Sequence, residues 1–133
     1  MSPERFPADD PREWVNRARS SLALAKTRLP EAYLEDLCFE AQQAAEKAIK
    51  GLLIKRRVAF PYVHDLARLL TVLEEAGEII PAIIRDAEAL TRYAVITRYP
   101  GLAEPVTEAQ YAEAVTTAEA VVRWASDRLG EIE

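Results

Sequence analysis

Apolar residues recur at helical spacing along most of this chain, and no segment alternates with the period of two that a strand requires. The strongest such stretch runs from Pro30 to Arg57, with Tyr33 to Ile54 as its body. Leu34, Leu37, Ala41, Ala45, Ala48 and Leu52 follow at steps of three or four, which places them on one face of a helix. Cys38, Ala44, Ile49 and Leu53 widen that face, so the pattern predicts a central helix with neighbours on more than one side. Its alanines, with nothing beyond Cβ, allow another helix to come close. Gly51 costs the helix about 1 kcal/mol relative to alanine. It reads either as a point where a neighbour presses in or as a plain surface position.

The flanking segments follow the same logic. Residues 1–9 carry two prolines and no periodicity, and are expected to form a loose arm. Asp10-Pro11-Arg12-Glu13 predicts a helix start, with Asp10 as cap, Pro11 in the first turn and Glu13 reaching back. Val15, Ala18, Leu22, Ala25 and Leu29 continue that helix to Pro30, with Trp14 sealing its end, and the short link makes the next helix antiparallel. After a proline-interrupted connection, His64-Asp65 opens a third helix with Leu66, Leu69, Leu70 and Leu73 inside and Gly77 as its stop. Pro81 begins a fourth, with Ile80, Ile83, Ile84, Ala87, Leu90 and Ala94 on its inner side, ended by Arg98-Tyr99-Pro100-Gly101. Thr107-Glu108-Ala109-Gln110 forms a capping box, and Tyr111, Val115, Ala118, Val122, Ala125 and Leu129 give the last helix a long seam. The expected fold is all-α: one domain over residues 1–133, an up-and-down four-helix bundle with one additional short or kinked helix.

Composition changes this picture little. At 133 residues the chain can bury a core without staples. No apolar run approaches the roughly 20 residues of a membrane span, and the first residues lack a signal-peptide core, so the expected location is the cytoplasm. The lone Cys38 excludes an internal disulfide and reads as a small core residue. Charge adds one feature. The net charge is −5, yet Ala41 to Leu70 holds Lys47, Lys50, Lys55, Arg56, Arg57 and Arg68 against Glu46 and Asp65. Lys47, Lys50 and Arg57 could thus make a basic face for phosphates. Alternatively, the lysines simply solvate the outer face of the central helix.

Few metal or catalytic constellations survive inspection. A di-metal helical centre needs histidines on two helices, and His64 is the sole histidine. The four glycines stand too far apart for a phosphate loop, and no metal or cofactor is expected. His64 beside Asp65 reads as helix capping or as a catalytic group, and Arg57 ahead of it matches a loose Arg-x6-His string. Thr91 to Pro100 is richer, because Arg92, Tyr93, Arg98 and Tyr99 gather at one helix end. Guanidinium forks there suit phosphate and the rings suit stacking on a base. The same residues also suit ordinary helix-end packing.

Three stretches in order carry a family likeness: Phe39 to Lys50, then His64-Asp65-Leu66-Ala67-Arg68-Leu69-Leu70, then Tyr93 with Thr97-Arg98-Tyr99-Pro100. With them the chain resembles a HEPN domain, a helical family named for a nucleotide-binding module. The resemblance implies a four- or five-helix bundle, a homodimer, and a minimal nucleotidyltransferase as partner in a toxin–antitoxin-like pair. Many HEPN proteins are metal-independent ribonucleases that pair Arg with a following His, and one branch extends this to Arg-x4-His-x-Tyr. On this chain the Arg is Arg92, the Tyr is Tyr99, and Thr97 stands at the histidine position. Threonine does not titrate near neutral pH, and losing such a group forfeits about 10²–10⁴ in rate. The resemblance therefore implies a binding module that contacts nucleotide or RNA through Arg92, Tyr93, Thr97, Arg98 and Tyr99. Two alternatives stand beside it, a ribonuclease toxin using His64 with an arginine and a scaffold that binds only protein.

Overall fold

A computed structural model describes residues 3–97, 99–101 and 103–131. Its elements are α1 (Pro11–Ala25), α2 (Leu34–Lys55), α3 (Leu66–Glu75), α4 (Ala82–Arg85), a 3₁₀ segment (Asp86–Thr91), α5 (Arg92–Ile96) and α6 (Glu108–Glu131). Among the described residues all regular structure is helical, as the periodicity predicts.

Helix α2 is the centre. Leu37, Ala41, Ala45, Ala48 and Leu52 are buried on its main face, and Cys38, Ala44, Ile49 and Leu53 on the flanks. Helix α1 lies antiparallel to it: Gly51 faces Trp14 and Pro11, while Lys47 Nζ donates to Ser21 Oγ at 2.8 Å. A Cβ on Gly51 would sit 3.3 Å from Trp14 Cβ, so the glycine marks a close approach of the two backbones. Helix α6 packs on both. Arg19 bonds Ser126, and Lys26 pairs with Glu119, which makes α6 antiparallel to α1 and parallel to α2.

Two helix starts form as their residues dictate. Asp10 accepts from the Arg12 N–H, and Thr107 and Gln110 exchange both bonds of a capping box at 2.9 and 3.1 Å. Glu13 differs from expectation. It turns to the arm, taking the Arg5 guanidinium at 2.7 Å, the Phe6 N–H at 3.0 Å and Arg17 at 2.9 Å. Asn16 binds the Glu4 carbonyl, Trp14 Nε1 binds that of Ala8, and Arg12 lies over the Phe6 ring. Residues 3–9 are therefore tied to α1 and are not the loose arm their prolines suggest. Helix α1 stops at Ala25, whose carbonyl accepts from the Tyr111 hydroxyl at 2.6 Å, and Leu29 is left exposed.

After α2 the chain doubles back. Arg57 takes a left-handed conformation (φ 58°), and the Val58 N–H closes on the Leu53 carbonyl. This geometry usually favours glycine and costs an ordinary residue roughly 1–2 kcal/mol. The return path passes Phe60 beside Lys50 and brings His64 to Glu46. Helix α3 then runs parallel to α2, from Asp65, which caps Ala67 and Arg68, to Ala76, whose carbonyl meets Arg56. Gly77 (φ 106°) ends it as expected.

The fourth stretch is broken. Ile84, Ala87, Leu90 and Tyr93 are buried along it at steps of three, which is the period of a 3₁₀ turn and not of an α-helix. Ile83, expected inside, is consequently 64% exposed.

Candidate functional site

The broken stretch and α6 enclose a groove of about 450 Å³. Ile83, Leu90 and Ala114 give it apolar walls, while Asp86, Arg92, Gln110, Glu113 and Thr117 supply polar groups. That size is within the usual range for small-molecule sites, roughly 300–1,000 Å³. The switch from 3₁₀ to α at Arg92 places this residue at the groove. Its guanidinium carbon lies 5.1 Å from the Tyr93 ring centroid, and it forms no ion pair among the described residues. A guanidinium on an aromatic face and open to solvent is ready for a phosphate or carboxylate.

The other residues expected at this end separate. Tyr93 lines the groove but is only 5% exposed, and burial raises its phenol above the usual range. Beneath it, burial drives the Cys38 thiol up to about 11, as expected of an inert core cysteine. Thr97 spends its hydroxyl on the Tyr93 carbonyl at 3.0 Å. Tyr99 is 60% exposed and does not line the groove, and Arg98 lies outside the described residues. Of the residues singled out from sequence, Arg92 and Tyr93 meet here. Asp86, Glu113 and Thr117 carry no mark in the sequence, and Gln110 reads there only as half of a capping box, because only the packing of α6 against a 3₁₀ segment puts them in one place.

The expected basic face does not form. Lys50 is buried and donates to Glu46 Oε2 at 2.9 Å, while Lys47 turns to α1 and burial lowers its ammonium below the usual range. Arg57 stands exposed beyond the end of α2. Lys47 and Lys50 serve neither a basic face nor a solvated one, since α2 is covered on several sides.

Capping falls to Asp65, and His64 is held elsewhere. Its Nδ1 lies 2.9 Å from Glu46 Oε1, with half of the side chain exposed. Gln42 Nε2 donates to the same Glu46 oxygen at 2.9 Å and to the His64 carbonyl at 3.3 Å, and Gln43 donates to Gln42. Burial pushes the Glu46 carboxyl up, but the bonds from Gln42, Lys50 and His64 outweigh it and leave the group below its ordinary range. Sequence carries only a spacing here: Gln42, Glu46 and Lys50 recur every four residues and so share one side of α2, and nothing local says that this side is covered. The Thr91 hydroxyl accepts from the Leu66 N–H at 3.0 Å, so the element carrying Arg92 adjoins the start of α3.

Comparison with known proteins follows this geometry. The family model described as HEPN domain matches residues 11–129. The crystal structure of ST0689, an archaeal HEPN homologue, is 28% identical, covering 90% of this chain and 98% of that one with a TM-score of 0.73. The crystal structure of TT1696 from Thermus thermophilus is 31% identical, covering 88% and 96%, with a TM-score of 0.76. No curated protein gives a significant match. The order of motifs along α2, α3 and α5, the helical architecture and a family match spanning nearly the whole chain agree: the chain belongs to the HEPN domain family.

Proposed function

We propose that this protein is a HEPN binding module that takes a nucleotide, or a nucleotide of a short RNA, in the groove between α6 and the Asp86–Ile96 stretch. The observation that carries the reading is the Arg92 guanidinium, without an ion pair among the described residues, set against the Tyr93 ring at a groove of suitable size. Arg92 would hold phosphate, while Gln110, Glu113 and Thr117 offer acceptors and donors for ribose hydroxyls or a base edge. Catalysis is not assigned to this groove. The threonine at the position of the family histidine has no titrating group and gives its hydroxyl to its own helix. In the same reading the protein works as a homodimer and as partner of a minimal nucleotidyltransferase.

Calorimetry with mononucleotides and short RNA tests the groove. Arg92→Ala should weaken binding by about 10- to 100-fold, the worth of a charge-assisted contact of roughly 1.5–3 kcal/mol. Binding equally tight in the variant removes Arg92 from the site. Capture of a nucleotidyltransferase by a protein with no nucleotide affinity favours the scaffold reading instead.

A further inference from the structure

The polar network between α2 and the start of α3 lines no part of the groove. Gln42, Glu46 and Lys50 stand one turn apart on α2, each less than a tenth exposed, beside the buried Ala45, Ile49 and Leu53 of the same helix. A buried ion pair adds little stability over apolar residues of the same size, so structure alone gives weak reason to keep one here. What the network does is hold one imidazole. Gln42 binds both Glu46 and the His64 backbone, Lys50 neutralises the far carboxylate oxygen, and the near oxygen meets His64 Nδ1.

We infer that Glu46 and His64 form an acid–base dyad, separate from the Arg92 groove, whose outward nitrogen takes a proton from the hydroxyl of a bound ligand. An ionised carboxylate only accepts hydrogen bonds, so Nδ1 must carry the hydrogen, and the neutral ring keeps its lone pair on Nε2. The half-exposed ring leaves a ligand access. In the step the ligand O–H bond breaks, the proton passes to Nε2 and the electron pair stays on oxygen. The imidazolium keeps both N–H groups, and Glu46 faces its new charge. His64 is the group that touches the ligand, and Glu46 is a positioning residue. Lys50 lies over the Phe60 ring, and Tyr62, two residues before His64, is fully exposed.

His64 is the sole histidine, so its signals are unambiguous. Long-range proton–nitrogen NMR of the neutral ring should show the Nδ1–H tautomer in the wild type and its loss in Glu46→Met, which has no oxygen to accept from Nδ1. An Nε2–H ring in the wild type overturns the dyad. Diethyl pyrocarbonate, which acylates a free ring nitrogen, should label the wild type about tenfold faster than Glu46→Met. That variant leaves Lys50 buried without its counter-charge, so the neutral pair Glu46→Met/Lys50→Met is read beside it and should label equally slowly. Labelling at the wild-type rate in the folded double variant would sink the proposal, whatever the groove is found to bind.

Discussion

At the scale of single residues, the most informative positions are those where a side chain is absent or its charge is hidden. Gly51 is the first. Alanine there gains about 1 kcal/mol of helix propensity, but its Cβ enters a 3.3 Å contact with Trp14 Cβ, an atom fixed to the α1 backbone. Overpacking of this kind costs roughly 1–3 kcal/mol, so Gly51→Ala should lower stability by about 1 kcal/mol in urea unfolding at unchanged m-value. A variant more stable than wild type would mean that α1 yields freely. The sequence left two readings of Gly51 open because a glycine carries no record of what lies against it. Lys50 differs from its expected exposure for a related reason. A lysine on a helix looks solvated until a second element covers that side, and here the covering chain is the return path through Phe60 and His64.

At the scale of elements, helix starts were legible because a cap is a local contract among a few adjacent residues. The Thr107–Gln110 box forms as written. The arm was not legible. Its order comes from Glu13, whose carboxyl is held down at about 2, first by the Arg5 hydrogen bond and then by the Phe6 N–H, against burial that pushes it up. A folded-state pKa below the ordinary 4.5 means that the anchoring is complete above pH 4.5 and is lost as pH falls through about 2. The Trp14 indole N–H, bonded to the Ala8 carbonyl, should report this release by NMR, and Glu13→Gln should release the arm at neutral pH. An indole signal unmoved in that variant would leave the arm held by other contacts. The stretch from Pro81 shows the converse. Apolar steps of three and four predict one helix, yet Ile84, Ala87 and Leu90 are buried at threes through the 3₁₀ run, and the α-helical period that buries Ala94 resumes only at Arg92, which lines the groove.

Across the whole molecule, distant ends are locked by Glu78, a carboxylate 1% exposed that receives Arg56 from the end of α2 at 2.7 Å and Arg128 from α6. Glu78→Gln takes the buried carboxylate away from two partly buried guanidiniums, which should cost about 3 kcal/mol in thermal or urea unfolding with native helicity retained. A loss under about 0.5 kcal/mol would mark the triad as no better than a surface pair. Such a triad joins residues 22 and 50 positions apart in the chain, and nothing local announces it. The sequence by itself determined what depends on neighbours within about two helical turns: the central helix almost to its ends, the caps, the buried stripes of α3 and α6, and the ordered motifs that mark a HEPN domain. Tertiary structure alone decided which polar residues share a space, because the backward path of residues 57–64 along α2, and the packing of α6 against a 3₁₀ turn, fix distances that no periodicity encodes. That is why Arg92 could be named in advance, whereas Glu46, which gives His64 its orientation, could not.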